Sequence, residues 1–304
     1  MVAYIVTRTL RVALHVLAVS LLTFVLVGAA PGRFLDDLRL DPRVSPATVE
    51  ALTREYGLDR PLAVRYGEWL LGAAQGRFGY SLTYRVPVER LILPRIGDTM
   101  LLAGTAMIVA WALALTVGLA AAVSARGWWS HAVDVGVATL LALPDLLFVM
   151  VVLLVATRAG WTSPDGAARI VLPVVALALS ATPVLLHHVR QALADALPRP
   201  LDIALDARGV PRVRRVTRHA LRLASAPLVA LAGVSLGTLL SASLLVEVIV
   251  GWPGIGPLML EAVLARDTDV VVAVAAAVCA MVLVSNAVAD IALAFMDPRT
   301  SARA

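Results

Sequence analysis

The chain has 304 residues, of which 60% are apolar and 15% charged, with a net charge of +5. Soluble domains carry about 25% charged residues, so this composition points to a membrane protein, and basic residues set beside apolar runs fit membrane boundaries rather than nucleic acid. All 26 basic residues are arginine; a Walker A phosphate loop needs lysine, so energy for any driven process must enter through another subunit or an ion gradient.

Six apolar runs stand out: Val12–Ala30, Thr99–Ser124, His131–Thr157, Ile170–Leu186, Ala226–Val250 and Val270–Met296. About 20 such residues cross a hydrocarbon core of about 30 Å as a helix, and runs this continuous are not alternating barrel strands. The first run has Arg8 and Arg11 before it, but its 19 residues exceed the roughly 7–15 of a signal-peptide core, so it reads as a retained helix. Pro31–Asp98 then forms a small cap. Ser45 reads as an N-cap, Pro46 as a first helical residue and Gly57 as a stop. Pro61 opens a second short helix closed near Gly76. "FGYS" is a turn, and "PVERLILPRI" a brief apolar helix leading into the second span. The fourth run is short and is expected to end at His187 and His188.

The expected architecture is an all-α integral membrane protein with six transmembrane helices. Residues 1–30 form the N-terminal tail and first helix, 31–98 the extracytoplasmic cap, and 99–304 a five-helix core with a loop at 190–225. With the N-terminus inside, arginines divide evenly, 13 inside and 13 outside. However, loops beyond about 60 residues largely escape the positive-inside rule, and Pro31–Asp98 has 68 residues, its ten arginines matched by nine acids. Without it the count is 13 to 3, which puts both termini in the cytoplasm.

Two stretches carry a resemblance. The first is "DIALDARGVPRVRRVTRHALRLASAPLV", with Gly209, a basic amphipathic stretch and Pro227 opening the next span. The second is "LLVEVIVGWPGIGPLMLEAVLARD", with Glu247 and a Gly-Trp-Pro-Gly-Ile-Gly turn. Together with "YGLDRPLAVRYGEWL" and Asp297–Arg299, they resemble the membrane permease subunits of bacterial ABC importers, in the dipeptide, oligopeptide and nickel branch. There are departures. The loop reads Ile203-Ala204-Leu205 without the motif's glutamate, Arg77 stands where an acid is expected, and Asp145 where a small hydroxyl residue is expected.

The resemblance implies a multi-pass subunit of the bacterial inner membrane. Its partners would be a second, similar permease, two cytoplasmic ABC ATPases and an extracytoplasmic substrate-binding protein. ATP and magnesium would act in the ATPases, and this chain would hold no cofactor. Peptides are the expected cargo, with nickel or a metal chelate as the alternative. Ala204, Asp206, Ala207, Arg208, Gly209, Val210, Arg212, Arg214 and Arg215 would form the element that docks on the ATPase. Gly209 permits a change of direction and Pro211 stiffens the start of the next helix. Val210, Val213 and Val216 recur every three residues as an expected contact stripe, with the arginines facing partner acids or lipid phosphates.

Charged side chains inside a membrane usually face protein or a water-filled path. Asp134 lies near the cytoplasmic edge and is expected to be solvated. Asp145 follows Pro144 and either lines the path or bonds a freed amide. Glu247 either lines the path or bonds a neighbouring helix. Asn286 and Asp290 share a face at i, i+4 and suit inter-helix bonding. Trp252, Pro253 and Gly254 form a turn that reads as a re-entrant or gating element at the outer mouth. His187 and His188 do not share a helix face, so they read as helix-end residues rather than ligands. Cys279 is the only cysteine, leaving no disulfide and no cysteine metal cluster. An intramembrane enzyme would need converging acids or a Ser/His set, and a stand-alone secondary transporter would show inverted repeats. The sequence presents neither.

Overall fold

In a membrane, backbone amides must be satisfied within the chain, so the apolar runs are forced into helices. The computed structural model describes residues 2–29, 45–55, 57, 59–124, 127–161 and 169–296. In chain order the helices are α1 (Val2–Ala29), α2 (Pro46–Glu55), α3 (Leu62–Ala73), α4 (Val88–Val123), α5 (Trp128–Leu141), α6 (Asp145–Arg158), α7 (Val171–Ala196), α8 (Arg199–Ala207), α9 (Ser225–Val250), α10 (Ile255–Leu264) and α11 (Thr268–Met296). Between α8 and α9, Arg212–Arg214 is helical, Arg215–Ala220 winds as a π-helix, and Leu221–Leu223 returns to α.

Among the described residues, five helices are long and apolar enough to cross a membrane: α1, α4, α7, α9 and α11. The third apolar run differs from the single helix expected. It divides into α5 and α6, bent by 106°, and the pair makes a sixth span only if taken together. The break sits at Ala142–Pro144, where proline disfavours helical backbone in the residue before it and lacks an amide of its own.

Two helix boundaries also depart from the apolar runs. The fourth run does not end at His187–His188, because α7 continues to Ala196. Leu185, Val189 and Leu193, four apart, are all buried, so an amphipathic face outlasts the uniformly apolar stretch. "PVERLILPRI" is not a separate helix but the start of the 36-residue α4. Pro94 removes an amide there, and Arg95 donates to the Leu91 carbonyl in the same turn at 2.9 Å.

The chain forms two compact units. Of the described residues, those within 100–252 and 282–296 belong to the first, and those within 2–99 and 253–281 to the second. In the first unit α7 packs against α5, α6 and α9. Ala106, Ala110 and Ala114 are fully buried along one face of α4. Gly118 extends that row, and a Cβ on it would lie 2.9 Å from Val189 of α7. Small residues at fourfold spacing let membrane helices approach closely. The same holds at Gly233 and Gly237 of α9, which face Ala289, and Val282 and Asn286, of α11. Trp111 of α4 donates its indole N–H to Ser235 Oγ on α9 at 3.0 Å.

In the second unit α2 and α3 obey their sequence signals. Ser45 Oγ accepts the Thr48 amide at 3.1 Å, and Gly57 takes φ +60° where α2 stops. Tyr66 lies between Phe24 of α1 and Trp69, with ring centroids 5.5 and 6.2 Å away. Trp69 donates to the Phe78 carbonyl.

Candidate functional site

The basic segment between α7 and α9 folds as two arms. Proline at position 198 caps α8, which ends at Ala207; Gly209 takes φ +73°, and Pro211 caps the second arm. Few residues other than glycine adopt that backbone, so the reversal is tied to Gly209. On α8, Leu205 is buried while Ile203, Ala204, Ala207 and Arg208 are exposed, Ile203 by 62%. This leaves an outward face of small and apolar side chains edged by an arginine.

The arginines divide into two groups. Arg208, Arg214 and Arg218 are exposed, whereas Arg212 is half-buried and Arg215 is buried. Arg215 Nη1 bonds Asp202 Oδ1 at 2.9 Å, and its Nη2 lies 2.8 Å from Asp206 Oδ1. Arg212 reaches Asp202 at 3.3 Å and donates to the carbonyls of Ala122 and Val123 in the last turn of α4. A cation there satisfies orphan carbonyls and complements the negative end of the helix dipole. These two arginines therefore face inward rather than toward a partner. The valine stripe is not continuous either: Val216 is 2% exposed, Val210 half-buried and Val213 exposed by 57%.

Asp134, expected to be solvated, pairs with Arg190 of α7 at 2.6 Å while remaining 59% exposed. Glu247 is fully buried on α9, near the buried Ser243. Asn286 and Asp290 lie half-buried along α11, with Asn286 Oδ1 beside Gly237. The Asp145 backbone begins α6 after Pro144; its side chain, Arg126, residues 31–44 of the cap, Tyr56, Leu58, Asp297–Arg299 and Arg303 lie outside the described residues.

The turn after α9 starts with Gly251 at φ +74°, and the Trp252 amide donates to the Glu247 carbonyl. Trp252 and Gly254 are buried and Pro253 exposed. The short apolar helix α10 comes next, its first amide, Ile255, bonded to Thr99 Oγ1 at 3.0 Å.

Sequence reading missed a second cluster, in the second unit. Asp267, 1% exposed, accepts from Ser81 Oγ at 2.6 Å and from the Thr83 amide at 3.1 Å. Asp269 accepts the Tyr80 amide, and the Tyr84 hydroxyl bonds Glu261. Burial, and then the Glu261 carboxylate, pushes the Tyr84 phenol up to about 12. Gly79, at φ +97°, fits because a Cβ would overlap Asp269. The signal available in sequence was three acids within nine positions after an apolar turn. A cavity of about 1000 Å³ opens in this unit, its lining including Phe24, Arg65, Trp69, Glu89, Arg266 and Asp267. Among the described residues, Glu247, Trp252, Pro253, Gly254, Asn286 and Asp290 do not line it. Among the described residues no cluster of His, Cys, Asp and Glu suits a metal ion.

Comparison with known proteins fits this arrangement. Residues 114–302 match the family described as binding-protein-dependent transport system inner membrane component, and residues 1–103 match the N-terminal region of such membrane components. The oligopeptide transport system permease protein AppB of Bacillus subtilis is 32% identical, covering 98% of this chain and 99% of AppB. The glutathione transport system permease protein GsiC of Salmonella choleraesuis is 30% identical, with 98% of each chain covered. Among solved structures, an inward-facing form of the MetNI methionine ABC transporter aligns with a TM-score of 0.60 at 21% identity, over 68% of this chain and 96% of that one; at that identity the likeness concerns the fold. The chain belongs to the binding-protein-dependent transport system inner membrane components, and is a multi-pass permease subunit of an ABC importer rather than an enzyme.

Proposed function

We propose that this permease imports peptides and that residues 199–223 form the cytoplasmic element on which an ATPase docks. The outward face of α8 carries the docking reading. An exposed patch built from Ile203, Ala204 and Ala207 beside Arg208 calls for a partner. The arginine balance supports a cytoplasmic position for this element and for both termini. Two permeases, two ATPases and an extracytoplasmic binding protein make up the assembly, in the bacterial inner membrane, with ATP and magnesium in the ATPases. Peptide cargo is supported by the named substrates of the relatives, oligopeptides and glutathione, itself a tripeptide. Asp145, Glu247, Asn286 and Asp290 are the polar candidates along the spans, and Trp252–Gly254 the candidate outer gate.

The test is uptake by proteoliposomes holding the whole assembly. Labelled di- to pentapeptides should accumulate with ATP and compete with one another. Accumulation of nickel or a nickel chelate, with no peptide uptake or competition, would replace the peptide reading by the metal one.

A further inference from the structure

We infer that Arg212 is a positioning residue that ties the docking helix α8 to the cytoplasmic end of the span α4, and that Arg215 fastens α8 to the arm that carries Arg212, so that ATPase-driven displacement of α8 moves that span directly. The inference rests on the docking role proposed for α8 and concerns its inner face.

Three observations carry it. First, both acids of α8 are engaged from within the chain, Asp202 by Arg212 and Arg215, and Asp206 by Arg215. Second, the link continues past the ion pairs. The Arg212 guanidinium spans from Asp202 to the Ala122 and Val123 carbonyls, bonding Ala122 O through Nη2 at 3.0 Å and Val123 O through Nε at 3.0 Å. Third, Arg215 is buried and also donates to the Asp202 backbone carbonyl at 2.9 Å, so it grips main chain as well as side chain. The π-helical turn begins at Arg215 and buries Arg215, Val216 and Ala220 together. Such turns recur at functional sites.

A planar guanidinium with donors in a fixed fork fixes direction as well as distance, which an ammonium does not. An exposed arginine on a flexible stem transmits little displacement. One held at both ends, in a half-buried setting, transmits it. The basic segment thus has two layers: Arg208 and Arg214 lie outside for a partner, and Arg212 and Arg215 lie inside for transmission. Asp206 is 69% exposed, so its pair is screened and is the weaker part of the link.

The test uses the assembled transporter with Arg212→Gln, Arg212→Lys, Arg215→Gln and Arg215→Lys. Arg214→Glu and Gly209→Val serve as docking controls. Membrane insertion, ATPase co-purification, and peptide taken up per ATP hydrolysed are measured. The expected result is that Arg212→Gln and Arg215→Gln keep the ATPases bound but lose uptake per ATP by about tenfold or more. Arg212→Lys and Arg215→Lys should each recover only part. The controls should instead lose bound ATPase. Wild-type uptake per ATP in both glutamine variants overturns the inference, and so does loss of ATPase binding in them, which would make these arginines contacts. If Arg212→Gln fails to insert, Arg212→Lys decides: wild-type uptake per ATP there overturns it. Full ATPase binding in both controls would instead overturn the docking reading, whatever the inner arginines do.

Discussion

Ser81 donates its hydroxyl to Asp267 at 2.6 Å, joining residues 186 positions apart in the sequence. Asp267 also takes the Thr83 amide, and Asp269 the Tyr80 amide, so the acids after α10 hold the loop that leads into α4. Asp267→Ala removes the acceptor from two donors in a buried setting. Each such loss costs about 1–3 kcal/mol. The variant should melt several degrees lower than wild type, and Ser81→Ala should lose less. Thermal unfolding of the detergent-purified subunit checks this, and an unchanged midpoint in Asp267→Ala would show that the bracket adds no stability.

A Cβ on Gly233 would sit 1.8 Å from that of Ala289. Gly233→Ala therefore forces α9 and α11 apart within the first unit, and overpacking of this kind costs about 1–3 kcal/mol. Less folded protein should be recovered from membranes, judged by the monodisperse fraction on size exclusion. Ala289→Gly in the same chain should restore it. Equal recovery from the single variant would contradict the close approach.

The orientation predicts which side each loop faces. With Cys279 replaced, single cysteines at Thr53 and Thr217 should differ toward an impermeant thiol reagent on intact cells. Thr53→Cys should label and Thr217→Cys should not until the membrane is opened. The reverse pattern would invert the topology.

Most of the helical skeleton is legible in the sequence, because membrane spans announce themselves by uninterrupted apolar length. What apolar length cannot show is where amphipathic helix continues beyond it. Val88 and Ile92 extend α4 backward, and Val189 and Leu193 extend α7 forward, each pair on a buried face. The break in the third run was signalled by Pro144, but a proline inside an apolar run reads equally as a kink. In the basic segment, Gly209 and Pro211 mark the reversal correctly. Composition alone, however, treats every arginine as outward, and Arg212 and Arg215 turn inward because Asp202 and the α4 carbonyls lie there. The Gly233-x-x-x-Gly237 spacing was a readable sign of close helix packing. The Ser81–Asp267 bond had no local sign, since its partners meet only through the fold.

On the proposed function, the outward face of α8 meets an ATPase in the cytoplasm. The most direct measurement places a single cysteine at Ala207, with Cys279 replaced, in membranes containing the whole transporter. A short bifunctional thiol-to-amine reagent should join this chain to the ATPase subunit, and a cysteine at Thr53 should not. The yield should change when ATP hydrolysis is arrested. A cross-link from Thr53→Cys but none from Ala207→Cys, in a transporter that still takes up peptide, would rule out α8 as the ATPase contact.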